Sequence, residues 1–223
     1  MALPRVAVFD AYGTLLDVHS AIARHAQRVG PAAAAVSALW RQKQLEYSWI
    51  LSATGDYEDF AALTERALGH AMATHGINDR GLRAALLEAY QALDHYPDAV
   101  VALGGLRSRG LKLGVLSNGE PQMLAAGIGS AGLAPLLDAV LSVHALRRFK
   151  PDPMVYRLVT SHFSVQPHEV AFVSSNAWDA YGAARFGFRA FWVNRSQGPV
   201  EYWLDELATV LPDLAALPGA LGA

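Results

Sequence analysis

Four short polar clusters in this 223-residue sequence hold residue types that can do chemistry. Asp10-Ala11-Tyr12-Gly13-Thr14 offers a carboxylate and a hydroxyl, and Ser117-Asn118-Gly119 a hydroxyl with an amide. Lys150-Pro151 adds a cation, and Ser174-Ser175-Asn176-Ala177-Trp178-Asp179 a second carboxylate. Carboxylates, an amine and hydroxyls are the groups from which acid–base and nucleophilic catalysts are assembled. Each cluster alone also has a plain structural reading. Asp10 could cap a helix, Ser117-Asn118-Gly119 could be a turn, and Lys150 could be a solvated cation. An acid, a hydroxyl, a lysine and a second acid at four strand ends fit one shared site better than four coincidences.

The elements that would position them follow from the apolar pattern. Arg5 to Asp10, Leu111 to Ser117, Asp138 to Ser142, Glu169 to Ser174 and Arg189 to Asn194 are short apolar runs and read as buried parallel strands. Helical signals lie between them: Ala99 to Arg109 stopping at Gly110, Asp152-Pro153 opening a helix through Val159, and Asn176 to Phe186 ending at Gly187. Such alternation predicts an α/β fold with a doubly wound parallel sheet, and ligands of such sheets bind beyond the strand carboxyl ends. One segment departs from it. Residues 16–98 hold four helical patterns, near His19 to Val29, Val36 to Ser52, Tyr57 to His75 and Arg80 to Leu93. The expected division is a core of residues 1–15 and 99–223 with an inserted all-helical cap domain, 16–98, over the sheet's carboxyl edge.

Composition narrows the classes. With 52% apolar and 17% charged residues the chain can fill a core, which excludes a disordered protein. A net charge of −2, with basic residues scattered among acids, argues against nucleic acid. The absence of cysteine removes disulfides and thiolate metal sites. Met1 to Arg5 is too short for a secretory apolar region, and no stretch approaches the about 20 apolar residues of a membrane span. A soluble, cytoplasmic protein without a membrane partner is expected.

Together, Asp10-x-x-x-Thr14, Ser117-Asn118, Lys150 and Asp179 resemble the haloacid dehalogenase superfamily, whose members share an aspartate nucleophile on a Rossmann-like core with an inserted cap. Within it, four longer strings are similar to the (S)-2-haloacid dehalogenases. They are Phe9 to Leu15, the cap stretch Trp40 to Trp49, Leu116 to Gly119, and Phe172 to Asp179, and the similarity runs from Val6 to Arg195. The resemblance implies hydrolysis of short (S)-2-haloalkanoic acids to (R)-2-hydroxyalkanoic acids and halide. Asp10 would attack the α-carbon in line, expelling halide with inversion, and water would then attack the carbonyl carbon of the Asp10 ester. By the same resemblance Ser117 and the backbone at Ala11 hold the substrate carboxylate, and Arg41 and Asn118 cradle the halide. Asp179 is the base, with Asn176 and Lys150 positioning the water. Thr14, Tyr156 and Ser174 match further residues on which activity depends. Tyr12, Gln42, Leu45, Phe60 and Trp178 match an apolar wall around the alkyl group. No cofactor or metal is implied, and a homodimer through cap helices is.

The competing reading is a phosphomonoester phosphatase of the same superfamily, since many relatives transfer phosphoryl groups. Those enzymes carry a second aspartate two residues after the nucleophile, where this chain has Tyr12, and a magnesium-binding acid that would fall at Ser175, a poor partner for a hard cation. Halide needs no proton to leave, so both substitutions favour carbon–halogen displacement. A non-catalytic binding protein on this scaffold is the third reading. Gly127 to Gly132 spells a dinucleotide fingerprint but follows a helical stretch, Pro121 to Ala126, so it is set aside. The eight histidines fall at no ligand spacing, and no Gly-x-Ser-x-Gly elbow is present.

Overall fold

The computed structural model describes residues 4–222. Met1, Ala2, Leu3 and Ala223, which fall in the expected core ranges, lie outside the described residues. The sheet strands are β1 (Val6–Phe9), β2 (Lys112–Ser117), β3 (Ala139–Ser142), β4 (Val170–Ser174), β5 (Arg189–Val193) and β6 (Ala208–Leu211). All pair in parallel, in the order β3-β2-β1-β4-β5-β6. β1 is central and every one of its residues is buried, as an apolar Val-Ala-Val-Phe run covered on both faces should be. The strand order reverses between β1 and β4, so their carboxyl ends diverge into a crevice there. β6 was not among the expected strands. It is a four-residue edge strand, Ala208 to Leu211, with its two middle residues exposed, so it lacks the continuous apolar run that marks the others.

Helices α1 (Ser20–Arg24), α2 (Ala26–Val29), α3 (Ala33–Thr54), α4 (Phe60–Thr74) and α5 (Arg80–Tyr90) follow β1 with no strand among the described residues between β1 and β2. The expected His19 to Val29 helix is split at His25, whose φ of −115° leaves the helical region. In α3 the buried positions Val36, Trp40, Gln44 and Ser48 recur every four residues, and the helix ends at Gly55 with φ 81°. α4 turns Phe60, Leu63, Ala67, Leu68 and Ala71 inward, and α5 is capped by the Asp79 carboxylate on the Leu82 N–H at 2.8 Å. The remaining helices are α6 (Ala99–Ser108), α7 (Pro121–Ser130), α8 (Pro153–Phe163), α9 (Ala177–Phe186), α10 (Leu204–Leu207) and α11 (Leu217–Leu221). Gly127 to Ser130 form the last turn of α7 and present no phosphate loop. One contiguous apolar cluster runs from the sheet, with Val8 and Phe172, into the insert, with Trp40, Leu63 and Leu86. The insert is therefore packed onto the sheet as well as tethered to it.

Candidate active site

The chain leaves β1 at Asp10 and folds at once into a tight turn. The Thr14, Leu15 and Leu16 N–H groups all donate to the Ala11 carbonyl, at 3.3, 3.0 and 2.9 Å. Gly13 has φ +93°, a conformation that disfavours any side chain, and its N–H reaches Leu16 O at 2.7 Å. The turn brings Thr14 back over Asp10. The Thr14 hydroxyl donates to Asp10 Oδ2 at 3.1 Å and accepts the Ser175 N–H at 2.8 Å, so its single proton is committed to the carboxylate. Parallel register sets β4 beside β1 with Phe9 opposite Val173, which puts Ser174 level with Asp10.

Lys150 fills the centre of the site. Fully buried, its ammonium donates to Asp10 Oδ1 at 3.0 Å and Asp179 Oδ2 at 2.8 Å, and lies 5.1 Å from the centre of the Phe172 ring. Its backbone N–H is held by Asn118 Oδ1 at 2.9 Å. Asp179, in the first turn of α9 and also fully buried, receives the Tyr156 hydroxyl from α8 on Oδ1 at 2.8 Å. The Asn176 amide completes the cluster, donating to Asp10 Oδ2 at 2.8 Å, while its N–H rests on the Ser174 hydroxyl at 3.1 Å.

Two carboxylates thus share one cation, and the charge of the more buried of them, Asp179, is the one disfavoured. Burial holds the Asp179 carboxyl above its ordinary value and Asp10 adds to the rise, against the pull of Lys150. Burial alone would push the Lys150 ammonium down, but Asp10 and Asp179 outweigh it and keep it above its usual value. Burial, and then Asp179, raise the Tyr156 phenol well above its usual range, so it is a donor here.

The insert contributes Arg41 from α3. Its Nη1 donates to Gln44 Oε1 at 2.7 Å, and its Nη2 to Tyr12 O at 2.9 Å and Asn176 Oδ1 at 3.2 Å. All three acceptors are neutral. Gln44 is fixed in turn by donating to the Thr64 hydroxyl at 2.6 Å and the Tyr90 hydroxyl at 3.1 Å. Tyr12 stacks on Tyr90 at 5.7 Å and meets Phe60 at 6.1 Å, and Phe60 meets Phe149 at 5.9 Å, forming an aromatic wall beside the carboxylate. Gly119 must stay small there, because a Cβ would lie 2.9 Å from the Tyr12 ring.

Asp10, Thr14, Arg41, Lys150, Tyr156, Asn176 and Asp179 therefore stand in one hydrogen-bonded network, with Ser174 and Asn118 attached to it. Ser117 is buried at the end of β2, level with Ala11 by register, and its hydroxyl accepts the Gly119 N–H at 3.1 Å. Trp178 meets Trp49 of α3 edge-on at 5.4 Å, and Leu45 is half-buried. Gln42, expected on the apolar wall, is exposed. It sits one residue, about 100°, round the helix from Arg41, whereas Gln44 lies on Arg41's own face. Gln44, Tyr90 and Phe149 are the neighbours the sequence reading did not include, and helical phase was the available signal for the first. Among the described residues no group of three or more histidine or acidic side chains is gathered as a metal site would need, and no helix is long and apolar enough to cross a membrane.

Residues 4–187 match the family model of the haloacid dehalogenase-like hydrolases. The chain is 49% identical to (S)-2-haloacid dehalogenase 4A of Burkholderia cepacia, over 96% of this chain and 93% of that protein. It superposes on a crystal structure of a dehalogenase with an intermediate complex at 45% identity and a TM-score of 0.97, covering 100% of this chain and 99% of that one. A structure of the L-2-haloacid dehalogenase of Xanthobacter autotrophicus with chloropropionic acid covalently bound matches at 38% identity and a TM-score of 0.89, over 99% of each chain. The chain belongs to the (S)-2-haloacid dehalogenase family of haloacid dehalogenase-like hydrolases.

Proposed function

We propose that the protein hydrolyses short (S)-2-haloalkanoic acids to (R)-2-hydroxyalkanoic acids and halide through an ester on Asp10. The observation that carries the mechanism is the unequal bonding of the two Asp10 oxygens. Among the described residues Oδ2 receives both Thr14 and Asn176, while Oδ1 receives Lys150 alone and keeps a lone pair for attack. Oδ1 displaces halide from the α-carbon with inversion. Lys150 and Arg41 offset the repulsion between the substrate carboxylate and Asp10, and Arg41 with Asn118 receives the departing halide.

In the resulting ester Oδ2 is the carbonyl oxygen, already facing two donors, Thr14 and Asn176. These form the oxyanion hole when water adds to the Asp10 carboxyl carbon. Asp179, made more basic by burial, takes the water proton, with Lys150 and Asn176 positioning the water. Cleavage of the bond between the carboxyl carbon and Oδ1, with the proton held by Asp179 passing to Oδ1, releases the hydroxy acid carrying Oδ1, and the water oxygen stays on Asp10. Ser117 and the Ala11 backbone are the proposed carboxylate holders, and Tyr12, Leu45 and Phe60 the alkyl wall.

The reading includes turnover without a metal, Lys150 supplying the positive charge between the carboxylates. It also includes a cytoplasmic setting for the cysteine-free chain and a homodimer through the insert. A groove of about 760 Å³ on the insert, where Tyr47, Ile50, Leu51 and Leu63 lie beside Glu46, Glu58 and Arg66 and Ile50 is 58% exposed, is the surface offered for that pairing, which light scattering would test. The deciding experiment for the reaction is a single turnover of excess enzyme with (S)-2-chloropropionate in oxygen-18 water. Label on the Asp10 peptide is expected. Label in the product alone would replace the ester by direct attack of water.

A further inference from the structure

The chain enters the helical insert just after Thr14 and leaves it just before Asp98, and the two connections are tied together. Asp17 N–H donates to Asp94 O at 2.8 Å, Tyr96 N–H donates to Leu15 O at 2.9 Å, and Leu16 bridges His95. A third element crosses over both. Arg195, two residues beyond β5, donates Nη1 to Asp98 Oδ2 at 2.8 Å and Nη2 to Asp98 Oδ1 at 3.1 Å. Its Nη2 also donates to the Thr14 carbonyl at 3.1 Å, and the guanidinium lies flat enough on Tyr96 for its carbon to be 3.9 Å from the ring centre. Asp98 is anchored on its far side by the Leu214 N–H at 2.8 Å.

We propose that Arg195 is a positioning residue for dehalogenation: it clamps both insert connections to the core and so fixes the Thr14 hydroxyl that bonds to Asp10. This rests on Asp10 forming the ester described above. A guanidinium has the planar fork needed to hold a carboxylate bidentately while a free N–H reaches a carbonyl, which an ammonium lacks. Thr14 itself has little freedom once held. Its carbonyl is pinned by Arg195 and its hydroxyl lone pair by the Ser175 N–H, leaving the proton aimed at Asp10 Oδ2. Because Oδ2 becomes the ester carbonyl oxygen, loosening Thr14 withdraws a donor from the second step, hydrolysis, and spares the first, displacement of halide.

The test compares wild type, Arg195→Gln, Arg195→Lys, Thr14→Ala and the Arg195→Gln/Thr14→Ala double variant on (S)-2-chloropropionate. Both kcat and the fraction of protein alkylated at Asp10 in the steady state are read, the latter by mass spectrometry. Arg195→Gln is expected to lower kcat about tenfold and to accumulate the alkylated form, with the double variant within about twofold of Thr14→Ala alone, since both changes act on one donor. A merely structural arginine would lower the yield of folded protein without shifting the alkylated fraction. If Arg195→Gln turns over within about twofold of wild type, or slows without accumulating ester, or multiplies its effect with Thr14→Ala, the proposal is wrong. Should Arg195→Gln fail to fold, Arg195→Lys, which keeps the charge over Tyr96 but loses the fork, is decided on the same alkylated fraction. A wild type that takes up no oxygen-18 at Asp10 in a single turnover overturns the ester reading itself; a wild type that does, beside an indifferent Arg195 variant, overturns only this inference.

Discussion

The carboxyl end of the sheet and the facing side of α3 both hold charged side chains, buried in the first and half-buried in the second, and they pair them in opposite ways. At the sheet, Asp10 and Asp179 share the Lys150 ammonium at 3.0 and 2.8 Å. On α3, Arg41 meets only the neutral oxygens of Gln44, Tyr12 and Asn176, with no carboxylate partner among the described residues. A half-buried charge without a counter-charge carries a desolvation cost that an anion would offset, and in the proposed reaction the substrate carboxylate and the halide are the anions Arg41 would meet. The sheet groups are bonded to one another, while Arg41 of the insert keeps its charge without a carboxylate partner among the described residues, as the anion-receiving role proposed for it needs.

Predictions that sharpen this contrast begin with the sheet. Asp10→Asn should lower halide release by roughly 10⁴-fold or more, since no other side chain supplies the attacking oxygen. Lys150→Met leaves two carboxylates side by side without their cation. It should cost about 3–5 kcal/mol of stability as well as activity, read by denaturant melts and halide release together. Arg41→Lys should behave differently, lowering kcat/KM by about 10²-fold while the melting temperature stays within a few degrees, because Arg41 is held by no counter-charge. If Arg41→Lys unfolds the protein as readily as Lys150→Met does, the contrast fails.

Tyr156→Phe probes the base. Asp179 must be ionised to accept a proton, so activity falls as pH drops through its raised pKa; the Tyr156 hydrogen bond favours the ionised form, and its loss moves that acid limb to higher pH. The pH profile of kcat, with the limb displaced upward, is the check. The smallest effect belongs to Asp98. Burial pushes its carboxyl up, but the bonds from Arg195 and the Leu214 N–H outweigh burial and hold it below its ordinary value. Its folded pKa is thus below the unfolded one, so its contribution is present above the unfolded value and is lost as pH falls through the lowered one. Asp98→Asn should cost roughly 1–2 kcal/mol at neutral pH and flatten the acid-side fall of the melting temperature.

Much of this was legible in the sequence, for physical reasons that also mark its limits. β1, β2, β4 and β5 are apolar on both faces, so covering by helices on each side leaves a continuous run that can be seen without coordinates. β6 has one covered end and an exposed middle, and such an edge strand writes no pattern. Site residues at strand ends were legible for the same reason, since a sheet's carboxyl edge is known once its strands are. What the strands could not reveal was how far side chains reach across the crevice. Lys150 touches Asp10, 140 positions away, and Tyr156 on α8 finds Asp179 on α9. Nor did the string Arg41-Gln42-Lys43-Gln44 say which glutamine mattered until the helix phase was applied.

The shared ammonium has a consequence for the order of events. While Asp10 is an anion it competes with Asp179 for Lys150 and makes a charge on Asp179 harder to hold. Alkylation turns Asp10 into a neutral ester, and the whole of the lysine's attraction passes to Asp179. In the proposed reaction the partner carboxylate is therefore easier to ionise after the first half-reaction than before it, when the second one calls for a proton acceptor, and the cycle carries its own clock in a single migrating charge.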